Sequence, residues 1–116
     1  MQQRTRRLTS ALPEDLRQLL EEMGADLSAA RRSRRFSQAG LADEMCVSRR
    51  LVSRMEKGDP TVSFGAYAMA AWIMKLDGRL SEIFSPQKDK VFQEKAQSAL
   101  EKRVRNKKSD RDDHYG

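Results

Sequence analysis

Two helix-capping serines, Ser37 and Ser48, leave very little chain between the helices that they begin. Serine is a favoured N-cap because its hydroxyl accepts a hydrogen bond from an N–H group of the first helical turn. The spacing predicts one helix over Gln38–Met45 and a second over Arg49–Lys57, which ends at Gly58. A connection of about two or three residues forces the second helix across the first at a steep angle, so that its outer face forms a ridge.

The second helix of this pair has a cationic face and an apolar face. At about 100° per residue the cationic side chains share one arc, and Leu51, Val52 and Met55 lie opposite. Arginine can donate two hydrogen bonds to guanine, and the DNA major groove admits one helix. The capped helix and the short turn before it favour a DNA interface over a solvated charged face. The predicted DNA-binding residues are Gln38, Ser48, Arg49, Arg50, Ser53, Arg54 and Lys57.

Three neighbouring features have two interpretations each. Gln38 either meets a phosphate beside the free N–H groups of its helix start or is a surface residue. One group of arginines before the pair either contacts phosphates or is a solvated helix end. Another group near the N-terminus is either a groove-reaching arm or, as we favour, a floppy tail. The first group is Arg31, Arg32, Arg34 and Arg35, and the second is Arg4, Arg6 and Arg7.

Helical patterns account for the rest of the globular part, and no segment alternates like a strand, so the predicted fold class is all-α. Apolar residues at steps of three and four form one stripe, on one helix or on two broken at Gly24. This stripe is Leu16, Leu20, Met23, Leu27 and Ala30. In the next helix Ala39, Leu41, Ala42 and Met45 are expected to pack inward. The predicted helices run from Pro13 to Arg34, Gln38 to Met45, Arg49 to Lys57, Phe64 to about Lys75, and Arg79 to Phe84.

Composition and length limit the organisation to one small domain with extensions. The chain has 116 residues and a net charge of +6, which suggests a polyanionic partner, either nucleic acid or a membrane surface. We expect a flexible basic arm over residues 1–12, a DNA-binding domain over 13–85, and a basic, partly disordered tail over 86–116. A single cysteine and the absence of a spanning apolar run favour a cytoplasmic protein without membrane association.

The capped pair resembles the helix-turn-helix of the Xre/Cro/C1 family of bacterial and phage repressors. The resemblance covers about residues 25–84 and implies a five-helix lambda-repressor-like domain that binds an inverted-repeat operator as a dimer. The positions that carry it are Ser37, Gln38, Ala39, Leu41, Ala42, Val47, Ser48, Val52, Ser53, Met55, Glu56 and Gly58.

Two positions depart from the family pattern. Gly40 replaces the usual glutamate and weakens its helix. Cys46 replaces the turn glycine, so we expect a slightly reshaped turn, because a left-handed backbone is costly without glycine. For the Cys46 thiol, packing is favoured over a redox switch.

Within the family, residues 58–86 and the later KRVR stretch are similar to HipB-type antitoxins. This narrower resemblance implies a HipA-like kinase toxin as partner, repression of a shared operon, and a short C-terminal strand that pairs across a dimer. The alternatives are a phage-type or general Xre-family regulator without a toxin, and a protein-binding module that uses this fold without DNA. No nucleophile motif, metal-ligand spacing or phosphate-binding glycine loop supports an enzyme or a cofactor, and the sole histidine, His114, lies in the tail.

The fourth predicted helix is apolar nearly all round, which requires cover on every side. We expect Phe64, Tyr67, Ala68 and Ala71 to face the core. A symmetric dimer would cover the remainder, unless Met69 and Trp72 pack under the first helix of the same chain. The predicted dimer or partner interface is Met69, Trp72, Ile73, Leu76, Leu80 and Phe84.

The tail has helical spacing from Val91 to Val104, followed by a polar end over 106–116 that should be disordered. We expect residues 86–105 to contact a toxin partner or the other subunit, and not the DNA bases. A tail without any role is the alternative.

Overall fold

The computed structural model describes the backbone of residues 8–115 and the side chains of residues 8–108. The expected arm therefore lies mostly outside the described residues, as do Arg4, Arg6 and Arg7. Residues 8–11 form a helical turn, and 3-10 segments cover Asp77–Glu82 and Pro86–Lys88. The α-helices that follow the first turn are α1 (Glu14–Ser33), α2 (Gln38–Met45), α3 (Arg49–Glu56), α4 (Phe64–Ile73) and α5 (Lys90–Tyr115).

The all-α prediction is confirmed for residues 8–115, which contain no strand, and the strand expected near the C-terminus is therefore absent from them. The chain divides into two compact units, one ending at Asp77 and the other beginning at Gly78. Among the described residues, no helix is both long enough and apolar enough to cross a bilayer.

Serine caps set the starts of three helices. The hydroxyl oxygens of Ser37, Ser48 and Ser63 each accept a hydrogen bond from the N–H group three residues on, at 2.9, 3.1 and 3.1 Å. The predicted bounds of α2 are therefore confirmed, and α3 begins where expected. Helix α4 ends before Lys75, whose positive φ of 60° lets the Leu76 N–H group reach back to the carbonyl of Ala71 at 2.7 Å.

Helix α1 is continuous through Gly24, so the alternative of a break there is wrong. Gly24 is buried against the end of α3, and a Cβ atom at this position would lie 2.6 Å from both the Glu56 carbonyl oxygen and the Gly58 nitrogen. Gly58 has a φ of 75°, and a Cβ atom there would overlap the backbone of Leu20. The two glycines allow the backbones of α1 and of the turn after α3 to touch.

The core lies among α1–α4, with Leu27 and Ala30 of α1 packed against it. Ala39 is exposed, so its expected inward packing is wrong. The expected core face of α4 is also wrong in part, since Phe64 is 63% exposed while Ala70 is fully buried. The fully or nearly buried apolar residues are Leu41, Ala42, Met45, Val52, Met55, Val62, Ala70 and Met74.

The second unit differs from the expectation in two ways. The fifth helix expected over Arg79–Phe84 is a 3-10 segment over Asp77–Glu82, and Phe84 is 91% exposed. No side chain described from Gly78 onward is buried, so no apolar packing supports an α-helix there. The helix expected in the tail is present as α5, and its backbone continues to Tyr115 through the end expected to be disordered.

We predict that Gly24→Ala destabilises the protein by about 1–3 kcal/mol, because the added methyl group meets backbone atoms that cannot move aside. In an exposed helix the same change is stabilising by about 0.5–1 kcal/mol. Gly65→Ala is the matched control, since its Cβ atom would meet nothing closer than the Ser63 hydroxyl at 3.8 Å. Urea unfolding of both variants measures the two opposite effects. Equal stability of the two variants would contradict the close approach.

Candidate nucleic-acid interface

Helix α3 packs against the core through one face and exposes the other face to solvent. Val52 and Met55 are fully buried, and Leu51 packs against the core from a half-buried position. Ser48, Arg49, Arg50 and Lys57 are exposed around the opposite side. The apolar–cationic division predicted from the sequence is therefore present, and the helix start that follows the short turn carries two exposed arginines.

The predicted DNA-binding residues differ in whether their side chains are already hydrogen-bonded within the chain. Arg50 and Lys57 form no hydrogen bond or ion pair through their side chains with any described residue. Ser48 is occupied as the cap of α3. Ser53 is half-buried on the cationic side. Arg49, Gln38 and Arg54 are engaged within the chain, each in a different way.

A buried ion pair joins α1 to α3. The Arg31 Nε and Nη2 atoms donate to the two carboxylate oxygens of Glu56 at 2.6 and 3.1 Å, and the side chains are only 11% and 8% exposed. Arg31 Nη1 also donates to the carbonyl of Phe36 at 2.8 Å, in the link before α2. Arg31 is therefore a structural residue, and the expectation that it contacts phosphate or belongs to a solvated helix end is wrong.

The Glu56 carboxylate also holds Gln38. The Gln38 amide nitrogen donates to Glu56 Oε1 at 3.0 Å, which turns the amide oxygen toward α3, where it accepts from Arg49 Nη1 at 3.3 Å. The result is a chain of polar contacts from Arg31 through Glu56 and Gln38 to Arg49. Its last member is exposed, so α1 and α2 together orient one arginine at the start of α3.

The pKa values reflect this pairing. Burial raises the pKa of Glu56, but the hydrogen bonds from Arg31, Gln38 and Ser28 and the charge of Arg31 outweigh it, leaving the pKa below its ordinary 4.5. The hydrogen bond to Glu56 raises the pKa of Arg31 despite its burial. Both groups are therefore held in their charged forms.

Arg54 belongs to a second network that shapes the loop after α3. Its Nε and Nη2 atoms donate to the Asp59 carboxylate at 2.9 Å and the Thr61 hydroxyl at 2.7 Å. The Tyr67 hydroxyl donates to the Asp59 carbonyl at 2.8 Å, which attaches the loop to α4. Burial raises the pKa of Asp59, but hydrogen bonds from Thr61 and Arg54 bring it below its ordinary value. Arg54, predicted to contact DNA, thus fixes the loop after α3, while its side chain is 43% exposed.

The remaining arginines near the interface also differ from one another. Arg32 and Arg34 donate to the carbonyls of Ser28 and Ala30 near the end of α1, at 3.3 and 2.9 Å. Arg35 is exposed with a left-handed φ of 60° and forms no hydrogen bond or ion pair through its side chain with the described residues. Two of the three are therefore helix-end residues, in agreement with one of the two interpretations.

Cys46 lies in the turn between α2 and α3 and adopts the left-handed backbone itself, with φ 59° and ψ 41°. The turn is not reshaped to avoid this conformation. The Cys46 side chain is exposed, so the expectation of a packed thiol is wrong. The backbone of the turn is satisfied, because the Cys46 and Val47 N–H groups donate to the carbonyls of Asp43 and Ala42 at 3.1 and 3.0 Å.

A second exposed surface lies on α4. Trp72 is 65% exposed, and Met69 and Leu76 are exposed beside it in sequence, so the alternative that Met69 and Trp72 pack under α1 is wrong. Ile73 packs against the core and is half-buried, so only part of its side chain is open to the expected interface. Of the two residues expected there from the second unit, Leu80 is half-buried and Phe84 exposed.

Sequence reasoning did not find the Arg31–Glu56 pair, although one signal for it exists. Glu56 is an acidic residue in the last turn of a cationic helix, where the helix dipole disfavours a negative charge. Such a residue indicates a compensating cation elsewhere in the chain. The sequence does not say which of the many arginines supplies it, because the partner is on another helix.

Among the described residues, no three His, Cys, Asp or Glu side chains come close enough together to hold a metal ion. The chain matches no family model, no curated protein and no solved structure. The interpretation of the interface therefore depends on its residues and their geometry.

We predict that Glu56→Gln destabilises the fold by about 3 kcal/mol at neutral pH, because it leaves the buried Arg31 guanidinium without a counter-charge. The lowered pKa of Glu56 means that its stabilising effect is complete above pH 4.5 and is lost as the pH falls through the folded-state value. The difference in unfolding free energy between wild type and variant should therefore shrink in acid.

Denaturant unfolding at a series of pH values measures this difference. Glu44→Gln is the matched control, since Glu44 is exposed on α2 and should change stability by less than about 0.5 kcal/mol. A Glu56→Gln protein as stable as the Glu44→Gln protein at neutral pH would contradict the role of the pair.

Proposed function

We propose that this protein is a sequence-specific DNA-binding transcriptional repressor. In this proposal α2 and α3 form the helix-turn-helix of a lambda-repressor-like domain built on α1–α4, and α3 enters the major groove. The observation that carries the proposal is the exposed arginine pair, Arg49 and Arg50, at the start of a helix whose opposite face carries the fully buried Val52 and Met55. A helix fixed in this way can enter a groove without losing its own packing.

The two arginines have different roles in the proposal. Arg50 is unrestrained by described residues and can adjust to its base partner, whereas Arg49 is oriented by Gln38. A guanidinium held in one orientation can donate two parallel hydrogen bonds to guanine O6 and N7 with less loss of side-chain entropy. Lys57, exposed at the other end of α3, suits a phosphate.

Gln38 positions Arg49 rather than meeting the DNA with its whole side chain. Its amide nitrogen and oxygen are both engaged, with Glu56 and Arg49. The Gly40 N–H group is taken by the Ser37 cap, but the backbone N–H groups of Gln38 and Ala39 have no carbonyl partner within the helix and remain suited to a phosphate.

A homodimer is the second part of the proposal. Phe64, Met69, Trp72 and Leu76 expose apolar side chains on and just after α4, where a second copy would shield them from water. A two-fold symmetric contact through Trp72 would cover it and present two α3 helices to an inverted repeat, with half-sites about 34 Å apart.

We further propose a protein partner, on the resemblance to HipB-type antitoxins: a HipA-like kinase toxin whose operon this cytoplasmic repressor would control. The observation in its favour is the second unit, where Ile83, Phe84, Val91 and Phe92 are all at least half exposed. A protein partner would cover side chains of this kind. A regulator without a toxin, and a binding module without DNA, are the alternatives.

We predict that Arg49→Ala and Arg50→Ala each weaken binding to the selected operator by about 1–3 kcal/mol, or roughly 5- to 150-fold. Lys57→Ala should weaken binding to all duplexes alike, because phosphate contacts carry no base information. The operator is obtained by selection from a random duplex library, and affinities are measured by fluorescence anisotropy.

Arg79→Ala is the matched control for these variants, since it removes one exposed arginine of the second unit. It should leave the preference for the operator unchanged. A folded Arg49→Ala, Arg50→Ala double variant with wild-type operator affinity would contradict DNA reading by α3, and a wild-type protein that binds no duplex would favour the protein-binding alternative.

We predict that the wild-type protein sediments as a dimer at micromolar concentration and that Trp72→Glu sediments as a monomer, because a charge cannot be buried in the contact without a partner. Gln18→Glu, an exposed change of equal charge on α1, should remain dimeric. A monomeric wild type would overturn the dimer, and a dimeric, folded Trp72→Glu protein would remove this surface from it.

A further inference from the structure

One group of cations in α5 takes no part in the proposed α3 interface. Its members, called here the basic segment, are Lys102, Arg103, Arg105, Lys107 and Lys108. No acidic residue interrupts the segment, and every residue from 102 to 108 is exposed. None of the five cations forms an ion pair with a residue whose side chain is described. Like charges three and four residues apart on a helix repel one another, and a polyanionic partner would remove this repulsion. The acidic residues nearest to the segment in sequence are Glu101 and Asp110.

The five cations surround the helix. At about 100° per residue, the widest angle between neighbouring cations around the axis is about 100°, so no side of the segment is without positive charge. Val104 is the single apolar residue among them. This arrangement is different from α3, whose cationic and apolar faces are opposite each other.

The positive charge on all sides of the basic segment favours a DNA duplex over a membrane surface or a protein groove as its partner. A membrane-surface helix needs a continuous face of bulky apolar groups to enter the lipid, and the segment has none. A helix bound in a protein groove likewise needs an apolar face for its anchors. A helix lying in a DNA groove has phosphates on both flanks, and the major groove, about 12 Å wide, has the width of a helix with its side chains.

We propose that the basic segment of α5 contacts the phosphates of the DNA duplex that α3 reads, strengthening binding without reading bases. This inference rests on the proposed function, because it assigns a second, sequence-independent contact to the same ligand. It also gives the tail a role that is distinct from the apolar residues between Val91 and Leu100, which remain available to a protein.

The test replaces all five cations of the basic segment by glutamine in the full chain, since glutamine has a helix propensity close to that of lysine and arginine. Affinity for the operator and for a random duplex is measured between 50 and 200 mM salt. Each phosphate that the protein no longer neutralises makes the slope of log affinity against log salt shallower by about 0.9. If the segment neutralises about two to four phosphates, the affinity of the wild type should fall over this salt range by a factor roughly 10 to 150 times larger than that of the variant.

The matched control replaces five other exposed cations by glutamine, so that the change in net charge is the same. These are Lys75, Arg79, Lys88, Lys90 and Lys95. The control should keep a salt slope close to that of the wild type, and both variants should keep the wild-type ratio of operator to random affinity. Circular dichroism establishes that α5 is equally helical in all three proteins.

The outcomes separate this inference from the proposed function. A wild-type protein that binds no duplex overturns both. A wild type that reads its operator, with an unchanged salt slope in the basic-segment variant, overturns only the phosphate contact. Equal changes of slope in the variant and the control would assign the effect to net charge and also overturn it. A variant that changes from dimer to monomer with an unchanged slope would assign the cations to a contact between copies instead.

Discussion

The buried ion pair between Arg31 and Glu56 is the interaction on which the arrangement of α1, α2 and α3 depends. Two parallel hydrogen bonds fix the guanidinium against the carboxylate, and the remaining donor of Arg31 fixes the link before α2. Because separating the partners would leave a charge with little access to water and no counter-charge, the pair favours this placement of the helices. Gln38 donates to Glu56 and accepts from Arg49, so the placement of the helices also sets the orientation of Arg49 at the surface.

A close backbone contact at Gly24 and Gly58 also joins α1 to the end of α3, through steric fit instead of charge. Gly24 and Gly58 let the backbones of α1 and of the turn after α3 approach more closely than any side chain would permit. The close approach brings Glu56 within reach of Arg31, which is on the same helix as Gly24. Steric fit and charge pairing thus fix together the C-terminal end of α3 against α1.

Sequence reasoning succeeded where the signal is local and failed where it is not. The bounds of α2 and the start of α3 follow from caps within each segment, and the two faces of α3 follow from the angular spacing of its residues. Helix α4 has apolar residues all round, so periodicity could not identify Ala70 rather than Phe64 as the core residue. The partner of Glu56 is 25 positions away in sequence, and only the packing of two helices reveals it.

The central claim, that α3 reads guanine from the major groove, is tested most directly by methylation interference on the selected operator. Methyl groups at guanine N7 lie in the major groove, where they block a bidentate arginine. We expect N7 methylation within each half-site to prevent binding by the wild type, and the same guanines to become tolerant in Arg49→Ala or Arg50→Ala protein. Binding that is blocked only by adenine N3 methylation, in the minor groove, or by no methylation at all, would contradict the account.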